Sequence, residues 1–200
     1  MNHLVFLAGA SGNTQFWNPL VAKLPEAYTR QIIHYPGFHG VASDPEINNF
    51  DDLCNYVVAQ IQQPSILIAQ SMGGIFAIAA ALEKTDLVKG LVLIATSGGI
   101  NLDRFQVQDW RQLYRQEYLE SPDWFVTTKV NYEEFLSTIE VETLLIWGDQ
   151  DSVSPIEVGQ YLNQILKKSK LYIVEGGDHG LAKQDADEVA IQINAYLKMI

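Results

Sequence analysis

Short, nearly continuous apolar runs alternate along this chain with longer stretches whose apolar residues recur every three or four positions. The runs at residues 3–8, 31–35, 66–68, 89–97, 143–147 and 170–174 predict strands, about six in all. The periodic stretches predict helices. One covers residues 50–62, with Leu53, Tyr56, Val57 and Ile61 on one face and Asn49 or Asp51 as its cap. Others cover the alanine-rich 75–82, then 157–166, and a closing helix over 184–198 that carries Val189, Ile193, Tyr196 and Leu197. Thr14 to Trp17 leads into a further helix after a small-residue loop at 9–13. Strands covered by helices on both faces lose their polar positions, and strands that alternate with helices pair in parallel. The pattern therefore predicts an α/β fold: a mostly parallel sheet with helices on both faces.

The alternation breaks between about Gly98 and Glu140, a span too long for a simple crossover. An amphipathic helix is expected there over 107–119. It would place Trp110, Leu113, Tyr114 and Tyr118 toward one side, with Arg111 and Arg115 one turn apart on another.

Length and composition narrow the class. With 200 residues the chain supports one α/β core, so one domain over 1–200 is expected. No apolar run approaches the roughly 18 to 20 residues that cross a bilayer. No Lys or Arg precedes the apolar run at residues 4–10, which is therefore read as a strand and not as a secretory segment. The lone Cys54 has no internal disulfide partner and falls on a predicted helix face, which points to a buried apolar role. A cytoplasmic protein is the default. A formal net charge of -11 argues against nucleic acid or an anionic membrane as partner, because both call for a basic footprint.

Candidate chemistry centres on Ser71, which sits where the strand at 66–68 gives way to the alanine-rich helix in Ala69-Gln70-Ser71-Met72-Gly73-Gly74. A sharp strand-to-helix turn pushes a serine Oγ clear of the backbone and aims helix N-terminal N–H groups at the reacting atom. Positions two before and two after it must be small, as Ala69 and Gly73 are. The stretch resembles the Gly-His-Ser-Met-Gly-Gly elbow of the α/β-hydrolase superfamily, with Ala69 in place of the first Gly. Two more segments carry the resemblance. Trp147-Gly148-Asp149-Gln150-Asp151, with Val153 and Pro155 after it, is similar to the family's strand, Gly-x-x-Asp and Val-x-Pro tail. Gly176-Gly177-Asp178-His179-Gly180 follows the last strand, and His179 is the histidine that comes after both Ser71 and Asp151; His3, His34 and His39 precede the serine.

That resemblance implies an α/β-hydrolase fold lacking the family's first two strands, with a short helical cap inserted at about 99–139. It implies Ser71 as nucleophile, His179 as general base and Asp151, rather than the turn residue Asp149, as the acid. Leu7-Ala8-Gly9-Ala10 with Trp17 lines up with the family's His-Gly-x segment, Ala8 standing where the His would be. This makes the backbone N–H groups of Ala10 and Met72 the oxyanion donors. Pro36-Gly37-Phe38-His39-Gly40 resembles the Pro-Gly-x-Gly turn and is read as structural. No cofactor and no metal are implied.

The function implied is cleavage of a carboxylic ester or thioester of small to medium acyl size, as in carboxylesterase- and thioesterase-like members of the pimeloyl-carrier-protein methyl esterase type. The enzyme would be a monomer or homodimer. Trp17, Trp110, Tyr114, Arg111 and Arg115 are candidate substrate contacts, and a shallow apolar pocket is expected from Trp110, Tyr114, Tyr118, Trp124 and Phe125. Arg104, Arg111 and Arg115 form either a solvated edge or a stripe for an anionic carrier. Lyases and synthases that use such a triad as a base, and receptors that keep only the pocket, share the fold and stay open as alternatives.

Overall fold

The computed structural model describes residues 3–119, 121, 122 and 124–200, without the side chains of Leu113 and Phe125, whose expected places in the helix face and the pocket fall outside it. The strands β1 (His3–Leu7), β2 (Thr29–Ile33), β3 (Ser65–Gln70), β4 (Val88–Ile94), β5 (Thr143–Gly148) and β6 (Ser169–Val174) form one sheet in the order β2-β1-β3-β4-β5-β6. Every pairing is parallel, and the expected α/β architecture is the one observed. β1, β3 and β5 are buried along their whole length, which is why they read as unbroken apolar runs. The edge strands β2 and β6 are only partly buried.

The helices are α1 (Asn18–Val21), α2 (Phe50–Ala59), α3 (Met72–Glu83), α4 (Arg111–Glu117), α5 (Trp124–Thr127), α6 (Ile156–Ile165), α7 (Leu181–Gln184) and α8 (Ala186–Leu197). Successive strand residues point to opposite faces, and each face has its own core. Val5, Leu67, Leu91 and Leu145 pack with Leu53, Val57, Phe76 and Leu162 of α2, α3 and α6. On the other face Leu4, Ile66, Val92 and Ile146 pack with Leu20 of α1 and with Val189 and Ile193 of α8.

Boundaries moved where tertiary contacts overrode local pattern. The expected strand at 89–97 stops at Ile94 because Ala95, at φ 47°, turns the chain. The strand expected at 31–35 lies two residues earlier. Tyr35 leaves the ladder to bury its ring, and its hydroxyl donates to the Ala8 carbonyl at 2.9 Å. The helix expected over 107–119 is confined to α4. Residues before it pair instead with the loop after β5, through Gln108 N–H to the Ser152 carbonyl at 2.8 Å and Ser152 hydroxyl to Gln108 Oε1 at 2.7 Å. The closing helix is broken at Asp185 into α7 and α8. Of the two candidate caps for α2, Asn49 is used, its side chain accepting from Asp52 N–H at 2.9 Å. Such a cap contributes about 1 kcal/mol.

Cys54 lies on the buried side of α2, and burial pushes its thiol up to about 11. Since the thiolate is the reactive form, about one thiol in a thousand is ionised near pH 8. Native protein is expected to resist iodoacetamide there and to take up one equivalent on unfolding. Mass spectrometry reads the difference, and rapid labelling of the native state would contradict it.

Candidate active site

From β1 the chain goes to β2 on one side of it, and β3 then pairs on its other side. Loops leaving the carboxyl ends of β1 and β3 therefore diverge and open a crevice, the switch point where parallel sheets bind ligands. Ser71 stands at the tip of β3, between that strand and α3, at φ 52° and ψ -121°. This is a strained position for a residue with a Cβ, and the surroundings must hold it there. Ser71 N–H donates to the Ile94 carbonyl at 3.1 Å. Its own carbonyl accepts from the buried Thr96 hydroxyl at 2.5 Å and from Gly74 N–H at 3.0 Å. The requirement for small neighbours is visible at Gly73, where a Cβ would lie 2.3 Å from the Leu7 carbonyl oxygen. α3 can begin beside β1 because nothing projects there.

The loop after β1 faces the serine. The Gly9 backbone passes so close to Gln70 that a Cβ at Gly9 would meet its Oε1 at 2.5 Å, while Gln70 Nε2 donates to the His179 carbonyl at 3.2 Å. Gln70 thus touches the loops on both sides of the serine. Neither the Ala10 nor the Met72 N–H has an acceptor among the described residues. Both residues line the cavity that Ser71 enters.

The acid and the histidine arrive on neighbouring loops. Gly148, at the end of β5, runs against the loop after β6 so closely that a Cβ would stand 2.0 Å from the Gly177 carbonyl oxygen. Asp149 turns away and accepts Gly176 N–H at 2.7 Å. Asp151 is buried. Its Oδ1 accepts Val153 N–H and Ser154 N–H, each at 2.8 Å, which leaves Oδ2 for His179 Nδ1 at 2.8 Å. His179 Nε2 lies 3.1 Å from Ser71 Oγ. A carboxylate with one oxygen fixed by two backbone donors holds the imidazole with Nδ1 protonated and Nε2 free to accept from the serine. Such a chain can turn a hydroxyl into a nucleophile at neutral pH.

Ser71 and His179 open into a cavity of about 680 Å³, within the size range of small-molecule sites. Its walls are less uniformly apolar than expected. Phe50, Ile75 and Val126 line it together with Arg111, Lys129, Asp103 and Glu117. Trp110, Tyr114 and Tyr118, three of the aromatic residues expected at the pocket, are among its lining residues, while two other expectations change. Trp17 is fully buried on the opposite core, tilted against Phe6 at 5.4 Å between centroids, and its neighbour Phe16 lines the cavity instead. Adjacent residues of a short 3₁₀ turn (Thr14–Trp17) point different ways, which spacing alone does not resolve. Trp124 packs edge-on against Phe38 and Phe50 rather than in the cavity wall.

The arginines separate as well. Arg104 donates to Tyr161 and Glu133 and lies over the Tyr161 ring, tying the inserted segment to α6. Arg111 lies over Trp110 and donates from Nε to the Val126 carbonyl at 3.2 Å, with Asp109 3.6 Å from Nη1. Arg115 is exposed one turn further along α4 and is not among the described residues that line the cavity.

Gln70 and Thr96 were not singled out from the sequence. Gln70 directly precedes the serine, and Thr96 follows the strand beside it, so strand adjacency was the available signal. Residues 4–137 match the family model described as alpha/beta hydrolase family. The chain belongs to the alpha/beta hydrolase family. Among proteins similar in sequence, a Haemophilus influenzae protein named "Putative 2-succinyl-6-hydroxy-2,4-cyclohexadiene-1-carboxylate synthase" is 32% identical over 70% of this chain, and the match takes in 64% of that protein's length. The pimeloyl-[acyl-carrier protein] methyl ester esterase of Aliivibrio salmonicida is 22% identical, covering 98% of this chain and 92% of that protein. A thermophilic esterase from Thermogutta terrifontis superposes with a TM-score of 0.80 at 16% identity, over 100% of this chain and 90% of that one, which is a likeness of fold. Among the described residues no helix is long and apolar enough to cross a membrane.

Proposed function

We propose that the protein is a serine esterase that cleaves a carboxylic ester or thioester of a small to medium acyl group through an acyl-enzyme on Ser71. The observation that carries this reading is the continuous hydrogen-bonded chain from buried Asp151 through His179 to Ser71 Oγ in the cavity lining. Ser71 Oγ attacks the acyl carbonyl while His179 Nε2 takes its proton. The resulting oxyanion is held by the N–H groups of Ala10 and Met72, a contribution of about 3 to 4 kcal/mol per donor in a well-studied protease. His179 then protonates the leaving alcohol or thiol. Water, deprotonated by the same nitrogen, releases the acid. Residues 1–200 form one hydrolase domain in this reading, and the segment at about 99–139 is a cap that shapes the acyl site.

Relatives named as acting on a methyl ester carried by an acyl-carrier protein support the finer reading of a carrier-bound acyl substrate, for whose anionic tether Arg111 and Lys129, which line the cavity, offer positive charge. A second reading, in which the triad serves as a base in a synthase, is favoured by the 32% identity to the Haemophilus protein.

One experiment separates them. Fluorophosphonate labelling with peptide mapping is combined with turnover of short nitrophenyl esters, a free methyl ester and the same acyl methyl ester on a carrier. Labelling at Ser71 with ester turnover is expected. Turnover of the carrier substrate should weaken from low to moderate salt while that of neutral esters holds. Labelling without turnover of any ester would favour the synthase, and absence of labelling at Ser71 would overturn both readings.

A further inference from the structure

We propose that Tyr114 is a positioning residue that lets the cap complete the oxyanion cradle. Its hydroxyl donates to the Ala10 carbonyl at 3.0 Å, from α4 to the loop after β1. The inference rests on the esterase reading above and adds to it how the donor at Ala10 is held.

Three successive carbonyls of that loop are engaged. Ala8 accepts from the Tyr35 hydroxyl at 2.9 Å, Gly9 from Gly12 N–H at 3.0 Å, and Ala10 from Tyr114. The peptide bonds of this loop are trans, so each carbonyl points opposite to the N–H that follows it. With the Gly9 carbonyl drawn toward Gly12, the Ala10 N–H faces away from the interior of the turn. The next peptide plane, from the Ala10 carbonyl to Ser11, is fixed from outside by Tyr114. Ala10 is thereby clamped between two held planes.

The clamps differ in origin. Tyr35 is part of the buried core, and the Gly12 contact is internal to the loop, whereas Tyr114 comes from the cap. A loop with glycine at 9 and 12 has little rigidity of its own, so an external clamp has a large share in its conformation. The ring of Tyr114 is itself fixed. It is buried, 4.8 Å from Tyr118 and edge-on to Trp110 at 6.1 Å between centroids. Burial pushes its hydroxyl up to about 12, so it remains a protonated donor throughout the working pH range. The hydroxyl, which donates to the Ala10 carbonyl and is also hydrogen-bonded to the Ser121 side chain, is engaged with the protein on both sides.

The test is Tyr114→Phe, which keeps the ring and removes the donor, assayed with a short neutral nitrophenyl ester. Because small misplacements of catalytic groups cost up to about 100-fold, kcat should fall between about 5- and 50-fold while KM stays within about twofold. Affinity for a trifluoromethyl ketone, whose adduct with Ser71 carries an oxyanion, should fall by the same factor. Affinity for the product acid should not.

Coupling between sites is reciprocal, so in the unaltered protein the ketone should slow amide hydrogen exchange in α4 and the product acid should not. This second measurement stands even if the variant folds poorly. An unchanged kcat, a rise in KM alone, or equal protection of α4 by ketone and acid would overturn the proposal. Should Ser71→Ala retain turnover, the esterase reading itself fails. Should Ser71→Ala be inactive while Tyr114→Phe is unaffected, only the clamp is lost.

Discussion

Ser71→Ala is expected to abolish ester turnover, by about 10⁶-fold as for a triad serine, while leaving the fold in place. The backbone contacts that hold the strained residue use its N–H and carbonyl, with Ile94, Thr96 and Gly74 as partners, and all three survive the change. The hydroxyl itself is hydrogen-bonded to His179. Alanine at φ 52° is strained to the same degree as serine, so the stability difference should stay within about 1 kcal/mol. Thermal melting and circular dichroism check the fold, and nitrophenyl ester assays check the chemistry. Ser11, Ser97 and Ser154 also line the cavity, which makes fluorophosphonate mapping of the variant informative. An adduct at one of those serines, with turnover retained, would move the nucleophile there.

What the sequence made legible follows from what is local. Strands buried on both faces show as apolar runs. The elbow shows as small residues around a serine because Gly73 must clear the Leu7 carbonyl. The order Ser71, Asp151, His179 is visible because each follows a strand end, and parallel strands bring those ends to one edge of the sheet.

What it hid depends on contacts between distant segments. No periodicity encodes Thr96 on the Ser71 carbonyl, Gln70 on the His179 carbonyl, or Tyr114 on Ala10, which lie 25, 109 and 104 positions apart. The segment between β4 and β5 is the least legible for the same reason. Its helix is shortened by the Gln108 pairing with Ser152, its arginine stripe is divided by Glu133 and Tyr161, and Trp124 is drawn into the aromatic core by Phe38 and Phe50.

Asp151→Asn is expected to lower kcat by about 10⁴-fold, whereas Asp149→Asn should cost little. The difference follows from which atoms face which. Oδ1 of Asp151 is fixed by Val153 N–H and Ser154 N–H, so an asparagine there will keep its oxygen on those two donors and turn its amide toward His179 Nδ1. An amide N–H facing Nδ1 favours the imidazole tautomer with the proton on Nε2. That proton then points at Ser71 Oγ, 3.1 Å away, and the base has no lone pair for the serine. Packing around the site is almost unchanged, so KM and melting temperature should move little. Asp149 has a different partner: its Oδ1 accepts Gly176 N–H, and an asparagine oxygen accepts it equally well. A loss of under about tenfold is expected there, from loosening of the turn that carries both loops. The pair of variants is read by kcat and by the tautomer-sensitive nitrogen shifts of His179 in magnetic resonance. If Asp149→Asn proved the more damaging, or if the imidazole tautomer were the same in Asp151→Asn as in the parent, the acid would have to be reassigned.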